Sequence, residues 1–235
     1  MSAAVIWHDL ECGAYQADLP LWRELTDAHG DGQPILEIGA GTGRVTLDLA
    51  RRGHALIAIE HDQELAAELR RRSRGLPVEV IQADACDFAL GARVSLCIVA
   101  MQTVQLLADR PAFLHCARGA MTPRGVLALA LLDRDVQPFE VDLDADVVEH
   151  GGIRYASTPT ALRETAEQVV LERRRTTVGG STDSVSLDVT ALARVDPTTL
   201  AIEGAAAGFA YRSLLGVPPT SEHVGSQVVL LEALP

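Results

Sequence analysis

Three acidic residues accompany three successive apolar runs. Glu37 lies in Ile35-Leu36-Glu37-Ile38, Glu60 closes Leu56-Ile57-Ala58-Ile59-Glu60, and Asp84 follows Val78-Glu79-Val80-Ile81-Gln82. Gly39, Gly41 and Gly43 lie between the first acid and the second. Glycines at this spacing let the chain turn sharply and bring its backbone against a ligand with no Cβ in the way. Ionised carboxylates are pure acceptors, suited to hydroxyls, an amino group or a cation. Acids at strand ends, on the edge where open α/β sheets bind ligands, point to an adenosine-type ligand.

The details narrow the ligand. Dinucleotide sites favour G-x-G-x-x-G, whose third glycine allows close helix–strand packing. Here the spacing is G-x-G-x-G, and Arg44 occupies the dinucleotide third-glycine position. Glu37, two residues before the first glycine, would repel a pyrophosphate if it pointed into the turn. It would suit a ligand bearing an ammonium or sulfonium group, which favours S-adenosylmethionine over NAD.

On these residues the chain resembles the class I S-adenosylmethionine-dependent methyltransferases, of the bacterial small-molecule type. The likeness covers roughly residues 34–132 and resumes at 209–232. It implies that Glu37, Gly39, Ala40, Gly41, Thr42 and Gly43 form the first cofactor motif. It implies that Glu60, with His61 beside it, accepts the ribose hydroxyls, and that Asp84 and Ala85 hold the adenine. Ala100, Met101, Gln102 and Gln105, after the fourth strand, would line the methyl-donor pocket. Trp7-His8-Asp9-Leu10-Glu11-Cys12-Gly13-Ala14-Tyr15 resembles the aromatic–acidic cap of such enzymes, with Tyr15 or Trp7 over the sulfonium. The cofactor would be S-adenosylmethionine and its product S-adenosylhomocysteine.

The implied reaction is in-line attack of an O or N nucleophile, less readily C, of a small metabolite on the donor methyl, without a metal. The protein's task is to position the nucleophile and exclude water. An amine needs only to be neutral, whereas a hydroxyl benefits from a general base. His223 is the first candidate base, followed by Glu222 in the same loop, Asp133 at the end of strand 5, and His8 in the cap. His115, inside a helix, reads as structural. Sugar-amine N-methyltransferases of similar length carry a His after strand 4 where this chain has Leu106. The acid of the magnesium-dependent catechol type is replaced by Ala100, and the Asn/Asp-Pro-Pro-aromatic motif of nucleic-acid amino methylases is absent. A cofactor-binding protein without methyl transfer, cyclase-like or purely binding, is the alternative on the same fold. An NAD-dependent oxidoreductase is disfavoured by Glu37 and Arg44.

These residues need a scaffold of alternating strands and helices. The apolar periods predict strands at 34–38, 55–60, 78–82, 94–99 and 126–132, with helices at about 43–52, 62–73 and 109–120. Asp62 is placed to cap the second of these helices and Gly53 to end the first. Continuous apolar strands between helices indicate a parallel sheet covered on both faces. The period-2 stretches 152–157, 168–173 and 184–189 predict an antiparallel insertion after strand 5. A helix at 197–208 and strands at 209–215 and 226–232 return to the core. The expected fold is therefore α/β: a three-layer, doubly wound, mainly parallel seven-stranded sheet with an antiparallel last strand, plus the β insertion. The expected organisation is a helical cap over 1–31, a core over 32–133 and 196–235, and a subdomain over 134–195 that serves as substrate lid, homodimer contact, or both.

Composition sets the remaining bounds. The 235 residues carry a net charge of −12, which disfavours nucleic-acid and anionic-membrane partners. The cluster Arg70-Arg71-Arg72-Ser73-Arg74 reads as the solvated last turn of a helix, favoured by its dipole. All 20 basic residues are Arg, which excludes lysine Schiff-base chemistry and a P-loop lysine. Cys12, Cys86, Cys97 and Cys116 show neither CxxC nor zinc spacing, and Cys97 sits in a core-like run. No metal site is expected. The start of the chain lacks the basic and long apolar segments of a signal peptide, so the expected location is cytoplasmic.

Overall fold

The structure is a computed structural model, and it describes residues 1–132, 137–180, 182–220 and 223–235. Elements are numbered in chain order. The chain divides into two compact units, one of Gln16–Arg134 with Val195–Pro235, the other of Met1–Tyr15 with Asp135–Arg194.

The larger unit holds a seven-stranded sheet in the order β10-β11-β5-β4-β1-β2-β3. Its strands are β1 (Ile35–Ile38), β2 (Leu56–Glu60), β3 (Val78–Gln82), β4 (Val94–Val99), β5 (Met121–Leu132), β10 (Phe209–Val217) and β11 (Ser226–Ala233). From β5 to β3 all pairings are parallel, and β11 runs antiparallel to both β5 and β10. This is the expected Rossmann-like sheet with an antiparallel last strand. Every residue of β1, β2 and β4 is buried, whereas the edge strand β3 is only partly covered. That contrast explains the unbroken apolar runs of the central strands.

The helices of this unit are α2 (Leu19–His29), α3 (Arg44–Arg51), α4 (Gln63–Arg72), α5 (Thr103–Leu106), α6 (Arg110–Ala120) and α7 (Pro197–Ala206). Asp62 caps α4 by accepting from Glu64 and Leu65 N–H at 2.8 and 3.0 Å. Gly53 follows α3 with φ 97°, a left-handed conformation that suits glycine. The arginine cluster ends α4, where Arg71 and Arg72 both pair with Glu68. Two elements differ from expectation. β5 begins at Met121 rather than 126; Pro123 and Gly125 fall where its register with β4 shifts between Val94 and Leu96. α5, only four residues long, leaves too short a period to be read from sequence.

The smaller unit holds α1 (Ala3–Cys12) and a four-stranded antiparallel sheet, β6 (Asp146–His150), β7 (Ile153–Glu164), β8 (Gln168–Val178) and β9 (Ser184–Ala193), in that order. β6 was not expected; all five of its residues are exposed, so it shows no burial alternation. The expected cap over 1–31 divides between the units. α1 lies on the inserted sheet: Trp7 meets Tyr155 edge-to-face at 5.2 Å. Arg175 stacks 5.4 Å from the Trp7 ring and closes both arms on Glu11 at 2.8 and 2.6 Å. Ser157 Oγ also donates to Glu11, at 2.7 Å. α2 instead belongs to the core, through Arg23–Asp48 at 2.6 Å and Ser95 Oγ donating to the Gly30 carbonyl at 2.9 Å.

Candidate functional site

The four strands β4, β1, β2 and β3 run parallel and side by side, so their carboxyl ends share one edge. The turn 39–43 follows β1, Glu60 ends β2, Asp84 follows β3, and Ala100–Gln105 follows β4. The expected donor-side residues other than Tyr15 are thereby brought together along this edge. Tyr15 is buried within the α1 unit.

The glycine turn is built by close approach. Gly39 has φ 68°, and a Cβ on it would lie 2.5 Å from the Thr103 methyl on α5. Gly43 has φ 100°, and a Cβ there would lie 2.4 Å from Leu69 Cδ1 on α4. Gly39 and Ala40 both donate to the Ile59 carbonyl, at 2.9 and 3.1 Å, which ties the turn to β2. Gly41 N–H donates to Glu60 Oε2 at 2.7 Å, and Asp62 N–H to Oε1 at 2.8 Å. Each Glu60 oxygen thus accepts one backbone bond and retains lone-pair capacity for a diol. Asp84 is exposed, and its Oδ1 accepts from Cys86 N–H at 2.8 Å. Oδ2 adds further acceptor capacity for an amino group. His61 is exposed beside Glu60, and Ala85 is buried beside Asp84.

Glu37 is placed differently from a carboxylate that points openly into the turn. It is 3% exposed and accepts a short hydrogen bond from the Thr46 hydroxyl. The Thr46 backbone also supports it. Gly43, the N-cap of α3, has no side chain to satisfy the orphan N–H groups of the first turn. Glu37 supplies that acceptor from the neighbouring strand. Burial pushes its carboxyl up to about 7, with the Asp18 charge adding to the rise, while the Thr46 bonds and the Arg44 charge pull it down.

The segment after β4 is held in an uncommon conformation. Met101 and Gln102 have φ of 46° and 61°. Left-handed non-glycine residues cost on the order of 1–3 kcal/mol each and cluster at functional sites. Thr103 Oγ1 donates to the Ala100 carbonyl at 2.8 Å. Gln102 and Gln105 direct their amides sideways: Gln102 Nε2 donates to Ser226 Oγ at 2.9 Å, and Gln105 Oε1 accepts from Leu132 N–H at 2.7 Å. Leu106 is 53% exposed beside them.

The base candidates fare unequally. Asp133 and Glu222 lie outside the described residues. His223 stands three residues before β11; its N–H donates to Thr220 Oγ1 at 3.0 Å and its carbonyl accepts from Thr220 N–H at 2.8 Å. His115 Nδ1 meets the Pro111 carbonyl within its own helix, at 2.7 Å. His8 belongs to the α1 unit. Cys97 is buried, and burial with the Glu37 charge pushes its thiol well up, which suits a core residue rather than a nucleophile. Trp7 belongs to the α1 unit, where its ring meets Tyr155 edge-to-face and Arg175 at 5.4 Å. Among the described residues, no group of three or more His, Cys, Asp or Glu is gathered for a metal.

Sequence reasoning missed Thr46, Asp18 and Ser226. Thr46, in the first turn of α3 and on its buried face, carried the one readable signal. The other two act through contacts between distant segments.

Residues 35–125 match the family described as methyltransferase domain. The ribosomal RNA small subunit methyltransferase A of Deinococcus radiodurans is 41% identical over 68 residues, 28% of this chain and 23% of that protein. The match therefore spans about a quarter of the curated relative's length. Likeness in structure extends further. The sugar N-methyltransferase KedS8 from Streptoalloteichus sp ATCC 53650 superposes with a TM-score of 0.80 at 16% identity, over 100% of this chain and 94% of that one. SAM-bound CalS10, an amino pentose methyltransferase from Micromonospora echinaspora, gives 0.75 at 17% identity, over 99% and 98%. The fold is that of the class I, Rossmann-like methyltransferases.

Proposed function

We propose that this chain, which carries a methyltransferase domain over residues 35–125, transfers the methyl group of S-adenosylmethionine to a nucleophilic nitrogen or oxygen of a small metabolite. The observation that carries this reading is the alignment of the Gly39–Gly43 turn, Glu60 and Asp84 at the carboxyl ends of three adjacent parallel strands. The donor set fits the cofactor: acceptor capacity at Glu60 for a diol, at Asp84 for an amino group, and a buried acid, Glu37, next to the turn.

When bound, S-adenosylmethionine supplies a methyl group on a cationic sulfur that is already electrophilic. The chain's own residues then have three tasks. Glu60 and Asp84 orient the nucleoside end. The 39–43 turn and the 100–105 segment fix the donor end. The strand ends on the β5–β11 side bring the acceptor in line and keep water out.

An amine on a sugar-like metabolite is the acceptor class best supported. Near-complete structural likeness to a sugar N-methyltransferase and an amino pentose methyltransferase favours it. A neutral amine also needs no strong base. By the resemblance read from the sequence, Leu106 takes the position where sugar-amine N-methyltransferases carry a histidine, so a base would come from His223, Asp133, Glu222 or His8. The net charge of −12 favours a small molecule over the ribosomal RNA named for the short sequence match. The inserted sheet, residues 134–195, serves acceptor binding or contact between copies in a homodimer, and the protein works in the cytoplasm.

Calorimetric titration with S-adenosylhomocysteine tests the cofactor; absence of binding overturns the reading. Transfer of labelled methyl across a panel of amino sugars and hydroxylated analogues then tests the acceptor. Binding with no transfer to any of them would assign a non-methylating role.

A further inference from the structure

Ser226 and Leu132 face each other in register across the β11–β5 ladder. The same short turn grips both. Gln102 donates to the Ser226 hydroxyl at 2.9 Å, and Gln105 accepts from the Leu132 N–H at 2.7 Å. The two glutamines are three residues apart, about one helical turn, which lets them reach one neighbouring strand pair together. Gln105 and Ser226 are each 4% exposed, so each contact has one buried partner, while Gln102 and Leu132 are partly covered. On the donor side, the same turn presses the Thr103 methyl against Gly39.

The backbone of this turn has a reason to be held. Met101 and Gln102 sit in the left-handed region, which persists in non-glycine residues only where surrounding contacts over-determine it. Gln105 N–H closes the turn on the Gln102 carbonyl at 2.8 Å, and Thr103 closes it on the Ala100 carbonyl. The side-chain amides add two further anchors, on two different strands. One rigid turn therefore spans from the glycine turn to the strand ends next to which Asp133 and His223 occur in the chain.

We propose that Gln102 and Gln105 are positioning residues that link occupation of the donor turn to the geometry of the β5 and β11 ends on the acceptor side. A ligand seated on Gly39–Gly43 and on the segment after β4 stabilises the turn. The two amides carry that order to Leu132 and Ser226. The inference rests on the S-adenosylmethionine reading of the site.

Hydrogen exchange on the full chain, with and without S-adenosylhomocysteine, tests it. In the native protein the ligand slows exchange over 36–44 and also over 126–132 and 226–233, by about fivefold or more at the strand ends. Ser226→Ala keeps ligand affinity and the protection over 36–44 but loses the ligand-induced protection at the strand ends; Ser226→Thr restores it. Ser95→Ala, which removes a comparable buried serine–carbonyl bond elsewhere in the core, leaves the pattern native. A purely structural role would raise exchange equally with and without ligand. Gln102→Asn, which tolerates the left-handed backbone with a shorter amide, gives the same loss if Ser226→Ala fails to fold. Retained strand-end protection in Ser226→Ala or Gln102→Asn overturns the inference, as does its absence from the native protein. Failure of the native protein to bind S-adenosylhomocysteine overturns instead the cofactor reading beneath it.

Discussion

Arg44 lays its guanidinium along the Asp18 carboxylate, Nη1 to Oδ1 at 2.5 Å and Nη2 to Oδ2 at 2.8 Å. Asp18 Oδ2 also accepts from the Trp22 indole N–H at 2.7 Å. Both charged side chains are nearly covered, 10% and 3% exposed. The residue that replaces the third glycine of a dinucleotide turn is thus spent on fastening the chain before α2 to the start of α3.

Arg44→Ala leaves the Asp18 carboxylate buried without its cation. We expect a loss of about 3–5 kcal/mol in denaturant unfolding, the usual cost of breaking one side of a buried pair. Asp18→Asn combined with Arg44→Met removes both charges, so the double variant is expected to be more stable than Arg44→Ala.

Glu37 is expected to make stability, and binding of the proposed ligand, depend on pH. Its folded pKa, about 7, lies above the ordinary 4.5, so the folded state holds a proton that the unfolded state releases between these values. The associated stability is fully present below about 4.5 and is lost as pH rises through about 7. Glu37→Gln removes this dependence, so the variant's melting temperature relative to the native protein rises between pH 5 and pH 8. A cationic ligand beside Glu37 favours the ionised carboxylate. S-adenosylhomocysteine, through its ammonium group, is expected to bind more tightly at pH 8 than at pH 5. Titration at pH 6 in buffers of different ionisation enthalpy reads the released proton directly.

On the proposed reading, Glu60 and Asp84 are expected to serve different ends of the nucleoside. Glu60→Ala also strips the acceptor from Gly41 and Asp62 N–H. Asp84→Ala removes an exposed carboxylate whose visible bond is to the Cys86 N–H. Each loses a charge-assisted hydrogen bond to the ligand, about 1–3 kcal/mol, with Glu60→Ala at the upper end. Calorimetric affinities for S-adenosylhomocysteine check this; unchanged values in both variants contradict the assignment.

Gly39→Ala meets a steric and a conformational barrier at once, a φ of 68° and the Thr103 methyl at 2.5 Å. Gly53→Ala meets only the conformational one, since nothing lies within 4 Å of the place a Cβ would take there. Gly53→Ala should cost roughly 1–2 kcal/mol of stability and spare ligand binding. Gly39→Ala should cost more and weaken S-adenosylhomocysteine binding. Thermal unfolding and calorimetry on the two variants separate the effects.

Much of the donor side was legible in the residues themselves. The apolar runs of β1, β2, β3 and β4 mark buried or half-buried strands, and strand ends, glycine turns and helix caps are local features. A strand followed by its turn carries its own acid to the sheet edge, so Glu60 and Asp84 could be placed without knowing a single long-range contact, whereas Glu37 lies within β1 and is buried against Thr46. β6 was hidden because its residues are all exposed, and α5 because four residues hold barely one turn.

The amino-acid sequence by itself determined the alternating elements, the edge that carries the donor-side acids, and the contrast between a parallel core and an antiparallel insertion. Only the tertiary structure decided which partner each polar side chain takes. It turns Glu37 to Thr46, Arg44 to Asp18, Gln102 to Ser226 and Gln105 to Leu132. It also puts α1 with the inserted sheet, and α2 with the core. The physical reason is range. Periodicity and turn chemistry act over a few neighbouring residues, whereas these contacts join segments that meet only when the chain has folded, where burial makes each polar group find a partner.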